Sequence, residues 1–262
     1  AAGKNALVWQ RLVTDTLTPV GAALRLMREE RGDFLLESVE GGRTRARYTL
    51  LGIDPDLVFR ATDGTAEMNR DWQRDAAAFS PCDENPLTAL RALLANCAIA
   101  VPAELPPALA CVVGYFGYET LGLIEDVPRP AGPGVGLPDM LFVRPTLLLV
   151  FDTLGEETFC IAPIWRGGDA EAAIAAAAER IDTALARLAG PESAARRFAG
   201  TLPDAVLAPQ LDPAAYRAMV LQAQDYIAAG DIFQVVLSQR FTCSFPLPPL
   251  ALYRALRWVN PS

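Results

Sequence analysis

Helical spacing of apolar residues predicts helices in five parts of the chain. The capping residues Thr18, Asn85 and Asp212 are each followed by proline, which is favoured at the first helical position because it has no N–H to leave unpaired. In the alanine-rich helix we expect a buried side of Ile174, Ile181, Leu185 and Leu188. The predicted helices are 18–32, 85–97, 169–190, 212–231 and 248–260.

Apolar runs between these helices predict strands. Residues 33–40 and 45–62 flank Gly41-Gly42 and predict an antiparallel hairpin, with a kink at Asp54-Pro55. A second hairpin is predicted around "TLGEE", between the apolar runs "MLFVRPTLLLVFD" and "TFCIAPIW". The continuous run "ALACVVGYFGYE" predicts a buried strand, in which the glycines indicate either the close approach of another backbone or a bulge. "AGDIFQVVLSQRF" predicts a strand after the fourth helix.

Hairpins separated by single helices indicate an α+β fold with mainly antiparallel β-sheets and flanking helices. Residues 191–210 have mixed charge, several prolines and no steady period, which is typical of a linker. The linker separates a first domain, 1–190, from a second part, 211–262. That second part is too short to bury a core by itself, so we expect it to pack on the first domain or to be an incomplete domain.

Composition narrows the chemistry. The 262 residues carry a net charge of −8, which argues against binding to nucleic acid or to an anionic membrane surface. The five cysteines are scattered and odd in number, so we expect no disulfide framework, and most of them are predicted to be buried thiols in a reducing compartment. No signal peptide and no apolar window of membrane-spanning length is found, and we expect a cytoplasmic protein. The chain has no histidine, which excludes catalysis and metal binding by its own imidazoles.

Polar residues within the first predicted hairpin are the main candidates for binding. In an alternating strand, either Glu37 or Ser38 faces inward and needs a polar partner, unless the strand lies at a sheet edge. Arg43, Arg45 and Arg47 share one strand face at a period of two. A solvated face is the simpler interpretation for most of them, while one arginine could hold a carboxylate.

Several stretches, in this order, resemble anthranilate synthase component I of the chorismate-utilising enzymes. They are "TPVGAALRL", "FLLESVEGGRTRARYTLLGIDPD", "GYFGYE", "LPDMLFVRPTLLLVFD" and "YIAAGDIFQVVLSQRF". The closing "NPS" resembles the start of the family's Asn-Pro-Ser-Pro-Tyr-Met stretch. The resemblance implies packed, mainly antiparallel sheets with helices outside. It also implies that 1–190 is the amino-terminal regulatory domain and that 211–262 begins a chorismate-binding catalytic domain whose carboxy-terminal part is incomplete.

The resemblance also implies a reaction. Family members are lyases of tryptophan biosynthesis that convert chorismate and ammonia to anthranilate and pyruvate with Mg²⁺, and the ammonia comes from a glutamine amidotransferase partner, component II. In the family, the catalytic histidine and the Mg²⁺-binding glutamates lie beyond the region that this chain matches. We therefore assign no catalytic or metal-binding residue here, expect the Mg²⁺ ligands downstream, and expect the chain alone to be inactive.

Feedback inhibition by L-tryptophan is a further implication of the resemblance. The inhibitor lies between the "LLES" strand and the stretch that begins with "NPS". By position, Ser38 is the expected main contact, with Leu36 and Glu37 beside it and Arg47 nearby. Two alternatives stay open: component I of aminodeoxychorismate synthase, and a stand-alone tryptophan-binding module. We also expect exposed apolar surface where the rest of the catalytic domain would pack, and with it poor solubility or association.

Overall fold

The structure is a computed structural model that describes residues 4–13, 16–37, 39–40, 44–45, 47–106, 109, 112–128, 134–190 and 205–259. The helices are α1 (Pro19–Leu26), α2 (Pro86–Asn96), α3 (Ala170–Ala189), α4 (Pro213–Ala229) and α5 (Pro249–Val259), with a 3₁₀ helix at Tyr118–Leu123. The strands are β1 (Ala6–Val13), β2 (Phe34–Leu36), β3 (Val39–Glu40), β4 (Thr44–Arg45), β5 (Tyr48–Ile53), β6 (Leu57–Thr62), β7 (Thr65–Asn69), β8 (Ser80–Pro81), β9 (Val113–Phe116), β10 (Met140–Arg144), β11 (Leu147–Asp152), β12 (Glu157–Ile164), β13 (Ala208–Pro209) and β14 (Phe241–Thr242).

Capping side chains begin the helices where the sequence predicts them. In α1 to α4 the side chain before the helix accepts a backbone N–H of the first turn: Thr18, Asn85, Asp169 and Asp212. The predicted end of α1 is wrong. The helix stops at Leu26 because Met27 already has an extended backbone, with φ −66° and ψ 144°, and Gly32 turns the chain only afterwards.

The first sheet has the strand order β1-β12-β11-β5-β2, and its neighbouring strands are antiparallel. Both predicted hairpins are confirmed. β2 pairs with β5 and β3 pairs with β4 on either side of the glycine turn, while β11 pairs with β12 around the second turn. Gly41 and Gly42 themselves lie outside the described residues.

The second sheet has the order β8-β7-β6-β10-β9, also antiparallel. The predicted kink at Asp54-Pro55 is where the chain leaves the first sheet through β5 and enters the second through β6. Asp54 has a φ of +51°, a conformation that few residues other than glycine adopt. The chain returns from the second sheet to the first between β10 and β11. This connection contacts the kink, because the Thr146 hydroxyl donates to the Asp54 carbonyl oxygen at 2.7 Å.

The strand predicted to be buried, β9, is instead an edge strand with alternating exposure. Phe116 is 57% exposed, because β9 pairs with β10 on one side and has no described strand on the other. The predicted close approach of another backbone at a glycine is confirmed. A Cβ on Gly114 would lie 2.0 Å from the backbone oxygen of Leu141 in β10.

Two helices, α1 and α3, cover one face of the first sheet. α1 packs on β5 and α3, and α3 packs on β12 and β1. Of the buried side predicted for α3, Ile181 is confirmed, but Ile174 is 52% exposed. The residues that α3 buries besides Ile181 are Ala177 and Ala184, whose small side chains let the helix backbone lie close to the sheet.

Alternate side chains of β11 and β12 point to the opposite face of the first sheet. There they form a core with Leu105: Leu148, Val150, Phe159 and Ile161. The second sheet forms a separate core with α2. Its largest members include Phe59, Met140, Leu90 and Leu93.

The chain divides into two compact units, Ala1–Ala195 with Arg257–Ser262, and Arg196–Leu256. The predicted domain limits at 190 and 211 stay a prediction, since much of the predicted linker lies outside the described residues. Within the described part of the second unit, Ala223 is the one buried hydrophobic residue, whereas Phe233 is 94% exposed and Val236 is 81% exposed. The second unit therefore has no core of its own in its described part, and large apolar side chains are exposed there.

The strand predicted at 229–241 is wrong for most of its length. Residues 231–240 form no strand, and only Phe241–Thr242 pairs, with Ala208–Pro209. A strand needs a neighbour to receive its N–H and C=O groups, and no described strand lies beside this segment. The segment therefore has the apolar pattern of a strand but no described backbone hydrogen-bond ladder along residues 231–240.

Candidate functional site

The residues predicted to bind tryptophan lie where the ladder between β2 and β5 ends. Leu36 and Leu50 form the last register pair of that ladder, and Glu37 follows at once. Arg47 directly precedes β5. The structure thus brings Leu36, Glu37 and Arg47 to one end of the first sheet, which we call the hairpin end. Ser38 lies outside the described residues.

Leu36 extends an apolar row at the hairpin end. Side chains two residues apart on a strand share a face, so Leu36 lies on the same face as Phe34. The Phe34 side chain packs against the core of the first sheet. Its ring lies directly over Gly52, where an added Cβ would clash with the ring, so position 52 must be glycine. Leu36 is 46% exposed. It offers apolar contact surface beside a fixed aromatic ring.

The carboxylate of Glu37 is held by an arginine from the far end of the chain. Arg257 Nε lies 2.8 Å from Glu37 Oε2, and Arg257 Nη2 donates to Glu37 Oε1 at 2.9 Å. Both residues belong to the first compact unit. The Glu37 side chain is only 11% exposed, and two parallel N–H···O bonds fix its orientation. The sequence gives no signal for Arg257, because the two residues lie 220 positions apart and no spacing pattern links them.

Arg47 is engaged elsewhere at the hairpin end. Its Nε and Nη2 donate to the carboxylate of Asp152 at the end of β11, at distances down to 2.7 Å. One arginine of the predicted basic face thus does hold a carboxylate. The side chain of Asp152 is 8% exposed, and its Oδ1 also accepts the backbone N–H groups of Leu154 and Gly155. The hydrogen bonds from Arg47, above all, lower the pKa of Asp152 below its usual value.

The described residues do not fit a metal ion. They contain no group of three or more Cys, Asp or Glu side chains placed to hold one, and the whole chain has no histidine. No step of a reaction can be assigned to a metal on the residues that the structure describes. What the hairpin end can offer is recognition: an apolar side chain next to a fixed carboxylate.

A sequence model described as chorismate binding enzyme matches residues 32–262, which is most of the chain. The chain belongs to the chorismate binding enzyme family. The match includes the hairpin end as well as α4, the segment 231–240 and α5.

Curated relatives in this family carry the name anthranilate synthase component 1. The one from Cereibacter sphaeroides is 42% identical over 263 residues, covering 100% of this chain and 53% of the relative. The one from Thermus thermophilus is 36% identical, covering 95% of this chain and 50% of the relative. The chain therefore spans about half the length of the curated relatives it matches.

A solved structure agrees with these relatives. The crystal structure of anthranilate synthase component I from Streptococcus pneumoniae matches with a TM-score of 0.66 and 27% sequence identity, covering 96% of this chain and 52% of that chain. The predicted resemblance to anthranilate synthase component I and the predicted α+β fold with antiparallel sheets are confirmed.

Proposed function

We propose that this member of the chorismate binding enzymes is part of an anthranilate synthase component I. The complete protein then converts chorismate and ammonia to anthranilate and pyruvate in tryptophan biosynthesis. The observation that carries the proposal is the 42% identity to a relative of that name over the full length of this chain. The match of 96% of the chain to a solved component I adds support.

The hairpin end is proposed to bind L-tryptophan as a feedback inhibitor. Leu36 faces the indole ring, and Glu37 with Ser38 accepts hydrogen bonds from the ammonium group. Arg257 supports this role, since it holds the carboxylate of Glu37 in one orientation before the ligand arrives. Arg47 is bound to Asp152, so we assign it the positioning of the hairpin end.

The cofactor and partner proposals concern the complete protein. A dicarboxylate substrate that loses a hydroxyl group suits Mg²⁺, which neutralises charge and acts as a Lewis acid. The described residues supply no such site, so its ligands are proposed to lie in the half of the relatives that this chain does not match. Ammonia is proposed to come from a glutamine amidotransferase. The expected cytoplasmic location stays a prediction; within the described residues, no helix has the length and apolarity to cross a membrane.

The proposed tryptophan site is tested best by inhibition of a complete enzyme. A chimera that joins this chain to the remaining half of the Cereibacter sphaeroides relative is assayed by anthranilate fluorescence with increasing L-tryptophan. Glu37→Gln keeps the shape of the side chain but removes its charge, so we expect at least a tenfold higher inhibitory concentration, as for the loss of about 1.4 kcal/mol.

The matched control is Arg11→Gln, which removes an exposed ion pair between β1 and Glu157 at the opposite edge of the first sheet. This variant is expected to be inhibited like the parent chimera. Equal inhibition of the Glu37→Gln variant and the parent would contradict the role of Glu37. Turnover without tryptophan is measured in each variant, so that a folding defect is distinguished from lost inhibition.

The 262 residues alone are proposed to be inactive, because they have no histidine and no described metal-binding group. Incubation of the folded chain with chorismate, excess ammonium and Mg²⁺ is expected to give no anthranilate fluorescence. Measurable anthranilate from this chain would show that the catalytic residues lie within it.

A further inference from the structure

The guanidinium group of Arg257 has hydrogen-bond donors that Glu37 does not occupy. Arginine carries five N–H groups in one planar, fixed arrangement. Nε and Nη2 face the two carboxylate oxygens of Glu37, at 2.8 and 2.9 Å. Nη1 makes no hydrogen bond or ion pair with the residues that the structure describes. The edge of the guanidinium between Nη1 and Nη2 is therefore available to a second oxyanion.

Solvent reaches both members of this ion pair, but unequally. The Arg257 side chain is 39% exposed, whereas the Glu37 side chain is 11% exposed. Arg257 lies in the last turn of α5, and that helix has no buried residue. A small molecule at the hairpin end therefore meets the guanidinium group on an open surface, next to a smaller accessible part of the carboxylate.

Two opposite charges held side by side match the charges of a zwitterionic amino acid. An α-amino acid carries its ammonium group and its carboxylate on the same carbon atom. The ammonium group donates to the Glu37 carboxylate, while the carboxylate accepts from the free edge of the Arg257 guanidinium. Hydrogen bonds between charged groups are the stronger ones, and a carboxylate fits a guanidinium edge with both oxygens. Leu36, which precedes Glu37 and is 46% exposed, offers apolar contact to the ligand's side chain.

Arg47, the other arginine bound to a carboxylate at the hairpin end, is less suited to this contact. Its guanidinium group is bound to Asp152 and lies 4.9 Å from the centre of the Tyr48 ring. Asp152 in turn accepts two backbone N–H groups of the turn after β11. These contacts fix Arg47 to that turn, whereas Arg257 holds its positive charge next to the carboxylate that is proposed to receive the ammonium group.

We infer that Arg257 binds the α-carboxylate of the amino acid at the hairpin end, so that the pair of Glu37 and Arg257 selects a zwitterion over an amine or an acid. Arg257 then has two roles, since it orients Glu37 and also contacts the ligand. The inference rests on the proposed tryptophan site and names the residue that recognises the carboxylate of the inhibitor.

Three indole compounds separate the two charges in a binding experiment. Calorimetry titrates the 262-residue chain with L-tryptophan, with tryptamine, which lacks the carboxylate, and with indole-3-propionate, which lacks the ammonium group. Circular dichroism confirms that the chain is folded. We expect L-tryptophan to bind at least tenfold more tightly than either analogue, because each analogue leaves one member of the ion pair without its charged partner.

Arg257→Gln distinguishes contact with the ligand from support of Glu37. The variant is expected to bind L-tryptophan and indole-3-propionate at least tenfold more weakly, but tryptamine no more weakly than the parent does. A role limited to holding Glu37 would weaken tryptamine as well, since tryptamine uses the Glu37 carboxylate. Arg257→Lys keeps the charge and is expected to recover part of the affinity for L-tryptophan. Arg254→Gln, at an exposed position of the same helix, is the matched control and is expected to bind all three compounds like the parent.

The inference is overturned if the folded chain does not bind L-tryptophan, if Arg257→Gln binds L-tryptophan as tightly as the parent, or if this variant loses tryptamine and L-tryptophan to the same extent. L-tryptophan binding that is unchanged in Arg257→Gln contradicts the role of Arg257 but leaves the proposed tryptophan site in place. The proposed synthase activity is measured by turnover of the chimera without tryptophan, so its failure is distinguishable from the failure of this inference.

Discussion

At the scale of residues, ion pairs between distant parts of the sequence organise the hairpin end. Glu37 is held by Arg257, and Arg47 is held to Asp152 across 105 residues. The sequence predicted that either Glu37 or Ser38 needs a polar partner, and that one arginine among Arg43, Arg45 and Arg47 could hold a carboxylate. It did not find the partners themselves, since an ion pair between remote segments produces no periodicity in the chain.

The pair of Arg47 and Asp152 predicts a pH-dependent contribution to stability. The folded-state pKa of Asp152 is lowered, so its stabilising effect is present above the unfolded value of about 3.9 and is lost as the pH falls through the lower folded value. Asp152→Asn keeps an oxygen that accepts the N–H groups of Leu154 and Gly155 but removes the charge.

Urea unfolding, followed by circular dichroism, is expected to show a lower midpoint for Asp152→Asn than for the parent at pH 7. The two midpoints are expected to converge as the pH falls through the lowered folded-state pKa of Asp152. Arg11→Gln, at an exposed ion pair, serves as the control with little change at either pH. A gap that is as wide at acid pH as at pH 7 would show that the charge of Asp152 does not stabilise the fold.

At the scale of elements, the sequence predicted where helices begin, but it did not predict which strands pair with each other in the two sheets. The capping residues and proline predicted the starts of the helices, because these signals are local. The sequence predicted a kink at Asp54-Pro55. It did not predict that the chain passes from the first sheet to the second there, or that Asp54 has a left-handed backbone conformation. The apolar run of β9 suggested burial, whereas only its position in the sheet order decides its exposure.

Gly114 in β9 predicts a clear stability difference between two glycine-to-alanine variants. An added Cβ at Gly114 would meet the Leu141 backbone oxygen, which cannot rotate away, so β9 must shift from β10. We expect Gly114→Ala to lower the free energy of unfolding by about 1–3 kcal/mol. Gly134, with nothing within 4 Å of its added Cβ, is the matched control. Equal stability of the two variants in urea would contradict the close packing of β9 on β10.

At the scale of the whole molecule, the sequence indicated the fold class and the family but not the state of the second unit. Hairpins alternating with single helices are local patterns, and they gave the α+β class correctly. The segment 231–240 has the composition of a strand but no described partner for its backbone. Phe233 and Val236 are exposed because the described part of the second unit forms no core that could bury them.

The chimera that joins this chain to the remaining half of the Cereibacter sphaeroides relative tests the central claim most directly. Its products from chorismate, ammonium and Mg²⁺ are identified by chromatography, with circular dichroism confirming that it is folded. The proposed function predicts anthranilate and pyruvate in equal amounts. A folded chimera that forms 4-amino-4-deoxychorismate, or that leaves chorismate unchanged, would contradict the assignment of this chain to an anthranilate synthase component I.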